Sequence, residues 1–65
     1  MNNQEKLEKY YQSIGYTYLG YLNTNLKAQE AYQKSKNKQW HEVGHNLHLV
    51  ALHDKKMFVI IDSGD

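Results

Sequence analysis

The stretch NLHLVALHDKKMFVIID, residues 46–62, decides the fold that this sequence predicts. It contains two apolar runs, residues 47–53 and 57–62, which are separated by a polar turn that starts at Asp54. The second run is rich in β-branched residues, and a strand without a partner would leave its backbone hydrogen bonds unmade. The two runs therefore predict a C-terminal β-hairpin that turns near Asp54 and Lys55.

A helix is the alternative for the first part of this region. A helix over residues 40–53 would give a mostly α protein built on a helical hairpin. Its apolar face would consist of Trp40, Val43, Leu47 and Val50. Gly44 and Asn46 are poor helix formers, so the β-hairpin is favoured.

Upstream of the hairpin, the sequence predicts a strand followed by a helix. YTYLGYL, residues 16–22, places aromatic and β-branched residues around a glycine, a composition typical of a strand. Asn23, Thr24 or Asn25 can then cap a helix, which we expect to run over residues 25–38. Apolar and small side chains recur there at helical spacing, namely Leu26, Ala28, Ala31, Tyr32 and Ser35.

The N-terminal segment fits a helix that either stops early or runs on. Residues 3–9 are polar and are good helix formers. A longer helix would align a narrow apolar stripe of Leu7, Tyr10, Tyr11 and Ile14. The elements as a set predict one small α+β domain over residues 1–65. In this domain, a small antiparallel sheet that includes the C-terminal hairpin packs against one main helix.

The length and composition bound the stability and the environment of the protein. A chain of 65 residues forms one small domain, and such a domain buries only about 60% of its unfolded surface. A second copy of the chain or another partner is therefore expected to support it. The chain has no cysteine, which excludes disulfides and thiolate metal sites. It also has no long apolar run and a polar N-terminus, so we expect a cytoplasmic protein that does not contact a membrane.

The charge pattern argues against an extended surface for nucleic acid. The net charge is +1, and every positively charged side chain is a lysine. Arginine, which supplies the bidentate contacts common in phosphate and base recognition, is absent. An excess of Lys, Asn and Tyr without Arg or Pro is what AT-rich coding produces. This bias suggests a low-GC bacterium, its phages or another mobile element as the source.

The segment HEVGH, which starts at His41, matches the zinc motif His-Glu-x-x-His. On a helix, His41 and His45 would lie one turn apart, with Glu42 as a general base. In metzincin proteases the pattern continues with a glycine and a third histidine, but His48 and Ala51 occupy those positions here. A zinc-dependent hydrolase is therefore a distant alternative, and we expect no specific metal, no cofactor and no catalytic residue.

The stretch YLGYLNTNLKAQEAYQKSK, residues 18–36, resembles the strand-to-helix segment of the Apetala/ethylene-response-factor family of DNA-binding domains. The residues in matching register are Tyr18, Leu19, Gly20, Thr24, Ala28, Ala31 and Tyr32. The resemblance implies a three-stranded sheet that lies in the major groove, with Tyr18 at an aromatic position of a DNA-contacting strand. That family also contacts DNA through arginines, which this chain lacks, so binding of nucleic acid is kept as the alternative function.

The leading prediction is a non-enzymatic protein-binding module, a small regulator or inhibitor of another protein. No set of serine, lysine or carboxylate residues suggests catalysis, whereas aromatic residues of the kind that anchor interfaces are abundant. The predicted partner-binding residues are Tyr16, Tyr18, Tyr21 and Trp40. Strand alternation would place Tyr16 and Tyr18 on one face and Tyr21 on the other. The resemblance to the DNA-binding family implies that Tyr18 faces outward.

Overall fold

The computed structural model describes residues 3–64. Within them, two helices cover a four-stranded sheet. In chain order the elements are α1 (Asn3–Ser13), β1 (Thr17–Tyr21), α2 (Leu26–Lys34), β2 (Lys38–Gly44), β3 (Leu47–Leu52) and β4 (Met57–Asp62). The predicted α+β class and the C-terminal hairpin are confirmed, and the helical alternative for residues 40–53 is wrong.

The sheet is mixed and has the strand order β1-β4-β3-β2. β3 is antiparallel to both of its neighbours, and β1 is parallel to β4. It follows that β1 and β2, at opposite edges, run in the same direction. Parallel strands cannot be joined by a tight turn, and α2 supplies the crossover between these two edges. The expectation of a wholly antiparallel sheet is corrected accordingly.

The two central strands are buried on both faces of the sheet. Side chains of β3 and β4 alternate between a face covered by α1 and a face covered by α2. The α1 face holds Leu49, Ala51, Phe58 and Ile60, and the α2 face holds Val50, Leu52, Val59 and Ile61. Burial on both faces explains why these strands read as continuous apolar runs rather than as an alternation of polar and apolar residues.

The helix α1 covers its face with Leu7 and Tyr11, which lie one helical turn apart. Tyr11 is buried, whereas Tyr10 and Ile14 of the predicted stripe remain exposed. The helix is followed by Gly15 with a φ of 95°, a left-handed conformation that commonly terminates helices and favours glycine. α1 is the N-terminal helix that the sequence predicted, and of the two alternatives it is the one that runs on past residue 9. It completes the burial of the sheet beside the main helix α2.

The helix α2 begins after its N-cap Asn25 and ends at Lys34, earlier than the sequence predicted. Ser35 has an extended backbone with a ψ of 136°. Asp54, in the turn between β3 and β4, accepts hydrogen bonds from the Ser35 hydroxyl at 2.5 Å and from the Lys36 N–H at 2.9 Å. These bonds lower the pKa of Asp54 from 3.8 to about 2, and the bond from the Ser35 hydroxyl has the larger effect.

The strand β2 is the element that the sequence did not predict. It pairs with β3 along its length, with an irregular register between Glu42 and Gly44. The chain then reverses at Asn46, whose φ of 59° is a conformation that asparagine tolerates. β2 forms one edge of the sheet, and β1 forms the other.

Candidate interaction surfaces

A bulge in β1 decides which of its side chains share a face. Tyr18 pairs with Phe58, but the register then shifts, so that Tyr21 pairs with Ile60. Gly20 lies within this shift and has a φ of 107°. Because a bulge inserts one residue, Tyr18 and Tyr21 both project on the α1 face. The prediction that Tyr21 faces away from Tyr18 is therefore wrong.

The bulge is held by Asn25, the N-cap of α2. The Oδ1 atom of Asn25 accepts hydrogen bonds from the backbone N–H groups of Lys27 at 2.9 Å and Ala28 at 3.2 Å. Its Nδ2 atom donates to the Leu19 carbonyl at 2.8 Å. A Cβ atom on Gly20 would lie 3.0 Å from that Nδ2 atom, so both the backbone and this neighbour favour glycine. One asparagine thus joins the start of α2 to the bulge.

Tyr18 and Tyr21 form an exposed pair beside α1. They are 38% and 44% exposed, respectively. The ring of Tyr18 stacks on the ring of Phe58, with 5.2 Å between the centroids, and this contact restricts its orientation. Burial raises the pKa of the Tyr18 hydroxyl, and the nearby Glu8 carboxylate and Tyr21 raise it further. We call Tyr18, Tyr21 and Glu8 the tyrosine surface.

Tyr16 takes part in a different arrangement, between α1 and the sheet. Its hydroxyl lies 2.7 Å from Nδ1 of His53, whose Nε2 lies 2.7 Å from Oε1 of Gln39. A second pair forms nearby, where the Tyr11 hydroxyl lies 2.8 Å from Nε2 of His41. The two pairs are contiguous, since the ring centroids of Tyr11 and Tyr16 are 5.0 Å apart. We call these five residues the Tyr–His network.

The position of the Tyr–His network shifts the pKa values of two of its members. Burial lowers the pKa of His41 below 6.5, and the electrostatic effect of the neighbouring His53 lowers it further. Burial, followed by Tyr16, raises the pKa of Tyr11 above 10.0. Both groups are therefore uncharged at neutral pH, and one nitrogen of the His41 ring is an acceptor.

The chemistry of the Tyr–His network is that of hydrogen bonds made within a packed cluster. Its two hydroxyl groups each have an imidazole partner, and no carboxylate is part of it. We interpret it as a polar contact that anchors α1 to the sheet. Sequence reasoning missed it because residues 38–44 were not recognised as a strand. Once they are, alternation places Gln39 and His41 on one face.

Trp40, the fourth predicted partner-binding residue, lies on the α2 face. It is 49% exposed and contacts Tyr32 and His48, with ring centroids 6.0 Å and 5.6 Å away. The Nδ1 atom of His48 is buried and has no hydrogen-bond partner among residues 3–64. Trp40 belongs to the β2 edge and the tyrosine surface to the β1 edge, so the four predicted residues do not form one site.

The segment HEVGH does not adopt the geometry of a zinc motif. Its first residues belong to β2, and His45 lies in the turn that follows. His41 points to the α1 face, where it joins the Tyr–His network, whereas Glu42 points to the α2 face. Glu42 and His45 line a groove of about 310 Å³ that His41 does not reach. Among residues 3–64, no three side chains of His, Asp or Glu are placed to hold a metal ion together.

An open groove of about 350 Å³ runs beside α2. It is lined by Leu22, Asn23, Gln29, Tyr32, Gln33 and Ile61. These side chains provide apolar and amide contacts, and they include no carboxylate, imidazole or amine that could act as an acid–base pair.

The chain matches no protein-family model, no curated protein and no solved structure. Neither helix within residues 3–64 is long and apolar enough to cross a membrane. Two features of the described residues can therefore be related to function, namely the tyrosine surface and the exposed Trp40.

Proposed function

We propose that this chain is a non-enzymatic protein-binding module that regulates or inhibits its partner, and that the partner binds the tyrosine surface. The observation that carries the proposal is the bulge at Gly20, which turns Tyr21 toward the face that already holds Tyr18. Bulges recur where a strand must re-aim a side chain for function. Without the bulge, Tyr21 would project on the α2 face, away from Tyr18.

The two tyrosines have the properties of interface anchors. Tyrosine combines a large apolar area with a hydroxyl group, and it loses little conformational entropy when it is immobilised. Stacking on Phe58 orients Tyr18 before any partner arrives. The hydrogen bond from Asn25 to Leu19 likewise holds the backbone between the tyrosines. Such preorganisation reduces the entropic cost of binding.

The charge beside the tyrosines favours a protein partner over a nucleic acid. Glu8 lies close enough to Tyr18 to raise its pKa. A carboxylate at this position repels the phosphates on which affinity for nucleic acid depends, and the chain has no arginine to compensate. Lysine or arginine side chains would be attracted by the same carboxylate and by the tyrosine rings. We therefore propose a partner segment that carries apolar and basic side chains.

The remaining parts of the proposal rest on composition. The module would act in the cytoplasm without a cofactor, in keeping with a chain that has no cysteine. Its abundance of Lys, Asn and Tyr, without Arg or Pro, supports a phage or another mobile element as its source.

Matched tyrosine variants test the proposal. The partner is captured from extract of the native host, identified by mass spectrometry and purified, and its affinity is then measured for each variant. Tyr18→Ala and Tyr21→Ala should each weaken binding by about 1 to 3 kcal/mol, in the range of interface anchors. Tyr10→Ala is the control, because Tyr10 is 56% exposed but lies outside the tyrosine surface. Equal affinity for all three variants and the wild type would contradict the proposed surface.

Salt dependence distinguishes the protein-binding module from the nucleic-acid alternative. The logarithm of affinity for duplex DNA falls by about 0.9 per logarithmic unit of salt for each phosphate neutralised. An interface anchored by tyrosines should change little over the same range. If the retained ligand is DNA or RNA with a steep salt slope, the chain binds nucleic acid through its sheet and the protein-binding proposal is wrong.

A further inference from the structure

Within residues 3–64, β2 is an edge strand, and the backbone groups on its outer side have no strand partner. The N–H of His53 donates to the carbonyl of Asn37 at 2.8 Å, so these opposed residues form a hydrogen-bonded pair of the antiparallel ladder. Alternation along the ladder then directs the backbone groups of Gln39 and His41 toward β3. The residues whose N–H and C=O groups point outward are consequently Lys38, Trp40 and Glu42.

We propose that a second copy of this chain pairs with this edge in antiparallel orientation, with Trp40 opposite Trp40 of the second copy. About the resulting two-fold axis, Lys38 lies opposite Glu42 of the second copy, and Glu42 lies opposite Lys38. Each of the three outward residues then forms a hydrogen-bonded pair with the residue opposite it in the second copy. In each pair, the N–H group of one residue donates to the C=O group of the other, in both directions. The two tryptophans become cross-strand neighbours on a continuous α2 face.

The side chains along this edge are complementary to their own reversed copy. Opposite charges that face each other across an antiparallel pair stabilise it, and like charges destabilise it. Glu42 is exposed and takes part in no ion pair within residues 3–64. The ammonium group of Lys38 donates to the Ser35 carbonyl at 2.7 Å. Because an ammonium group has three N–H donors, Lys38 can also reach a carboxylate of the second copy.

The register centred on Trp40 pairs every outward residue of the regular part of β2, residues 38–42, with a residue of the same part in the second copy. A register centred on Gln39 would place Glu42 opposite Lys36, which lies outside β2. A register centred on His41 would place Lys38 opposite Gly44, beyond the irregular register. Both would separate Lys38 from Glu42. The irregular register after Glu42 ends the ladder at that point. The exposed ring of Trp40 would be covered by its counterpart.

The opposite edge of the sheet is protected against the same pairing, because the bulge at Gly20 interrupts β1. The dimer is therefore closed, with β1 at both ends of one continuous sheet. The tyrosine surface lies at these ends and remains accessible in the dimer. The proposed pairing is thus independent of what the tyrosine surface binds.

Charge reversal at Glu42 tests the pairing in solution. Sedimentation equilibrium of the wild-type chain should show a reversible dimer between micromolar and millimolar concentration. Glu42→Lys places two lysines opposite each other at both ends of the ladder, and should raise the dissociation constant of the dimer by about tenfold or more. The double variant that also carries Lys38→Glu restores opposite charges and should return the constant toward the wild-type value.

The same charge change at a distant site is the control. Glu30→Lys alters an exposed residue of α2 and should leave the dissociation constant unchanged. The proposal is overturned if the wild type remains monomeric up to millimolar concentration, or if Glu42→Lys dimerises as tightly as the wild type. It is also overturned if the double variant shows no recovery, or if Glu30→Lys weakens the dimer as strongly as Glu42→Lys does.

Amide hydrogen exchange of the wild-type chain tests the pairing without any substitution. The N–H groups of Lys38, Trp40 and Glu42 should become protected as the protein concentration rises. Those of Gln39 and His41 should be protected at every concentration, because they bond to β3. Concentration-dependent protection that appears elsewhere and leaves Lys38, Trp40 and Glu42 unprotected would show a different interface and overturn the proposal.

Discussion

The two faces of the sheet are covered by helices that attach to it in different ways. On the α2 face, aliphatic side chains of β3 and β4 pack against Ala28. On the α1 face, the apolar cluster around Phe58 continues into the Tyr–His network. The α2 face is therefore stabilised mainly by buried apolar area, whereas the α1 face also depends on hydrogen bonds.

This difference shows how a small domain completes its core. Ala28 is fully buried and has no polar side-chain atom, so it packs against the sheet without needing a hydrogen-bond partner. α1 approaches through Tyr11, whose ring adds apolar area but whose hydroxyl requires a partner once it is buried. His41 supplies that partner from the edge strand. A loss of side-chain volume should consequently destabilise either face. On the α1 face, stability should depend also on a hydrogen bond and on pH.

Loss of volume should have the largest effect on both faces. Leu49 and Leu52 lie in the same strand and are both 0% exposed, but Leu49 faces α1 and Leu52 faces α2. Leu49→Ala and Leu52→Ala should each lower the free energy of unfolding by about 2 to 5 kcal/mol, measured by urea titration. A loss below about 1 kcal/mol for either variant would mean that its face is not closely packed.

Gly20→Ala should have the next largest effect, because the bulge distributes the residues of β1 between the two faces. The φ of 107° and the approach of Asn25 to 3.0 Å disfavour any side chain at this position. The expected loss of stability in a urea titration is about 1 to 3 kcal/mol. Gly44→Ala is the control, since its Cβ would meet Leu47 at an ordinary 3.6 Å. Equal losses in both variants would argue against a strained bulge.

Tyr11→Phe should remove a hydrogen bond that distinguishes the α1 face, and it leaves the volume of the side chain nearly unchanged. The substitution deletes the hydroxyl that lies 2.8 Å from His41 and should lower the free energy of unfolding by about 1 kcal/mol. Tyr10→Phe, on the same helix, removes an exposed hydroxyl and should change it by less than about 0.5 kcal/mol. Indistinguishable urea midpoints for the two variants would show that the Tyr–His network does not stabilise the fold.

The pH dependence of the free energy of unfolding should be the smallest of the differences between the α1 face and the α2 face. Burial lowers the pKa of His41 in the folded protein below 6.5, so at a pH between the two values only the unfolded chain binds the proton. The contribution of His41 is therefore complete above pH 6.5, and the free energy of unfolding decreases as the pH falls below it. Urea midpoints on both sides of pH 6.5 should show this slope, and His41→Gln should flatten it.

The carboxyl group of Asp54 gives a second step at lower pH, which serves as the control. Its pKa is about 2 in the folded protein and 3.8 in the unfolded chain, so its stabilisation is present above pH 3.8 and is lost as the pH falls toward 2. Asp54→Asn should remove this step and leave the step of His41. If Asp54→Asn removed both steps, His41 would not be the group responsible for the upper one.

The sequence by itself determined the elements that depend on neighbouring residues. Residues 57–62 form a strand as their β-branched composition predicts, and the partner strand follows because the turn between them is short. α2 begins where Asn25 can accept hydrogen bonds from the first N–H groups of the helix. Both signals act over a few positions of the chain, so composition and spacing were sufficient.

Only the tertiary structure decided how the remaining residues are arranged. Residues 38–44 are mostly polar, and they form a strand because β3 offers them a free edge. The face of Tyr21 was mispredicted because a bulge adds one residue that no periodicity reveals. A zinc motif would require His41 and Glu42 to lie on a helix, but on the observed strand they point to opposite faces, and Tyr11, distant in sequence, is the partner of His41. Each of these outcomes depends on contacts between distant parts of the chain, which local patterns do not encode.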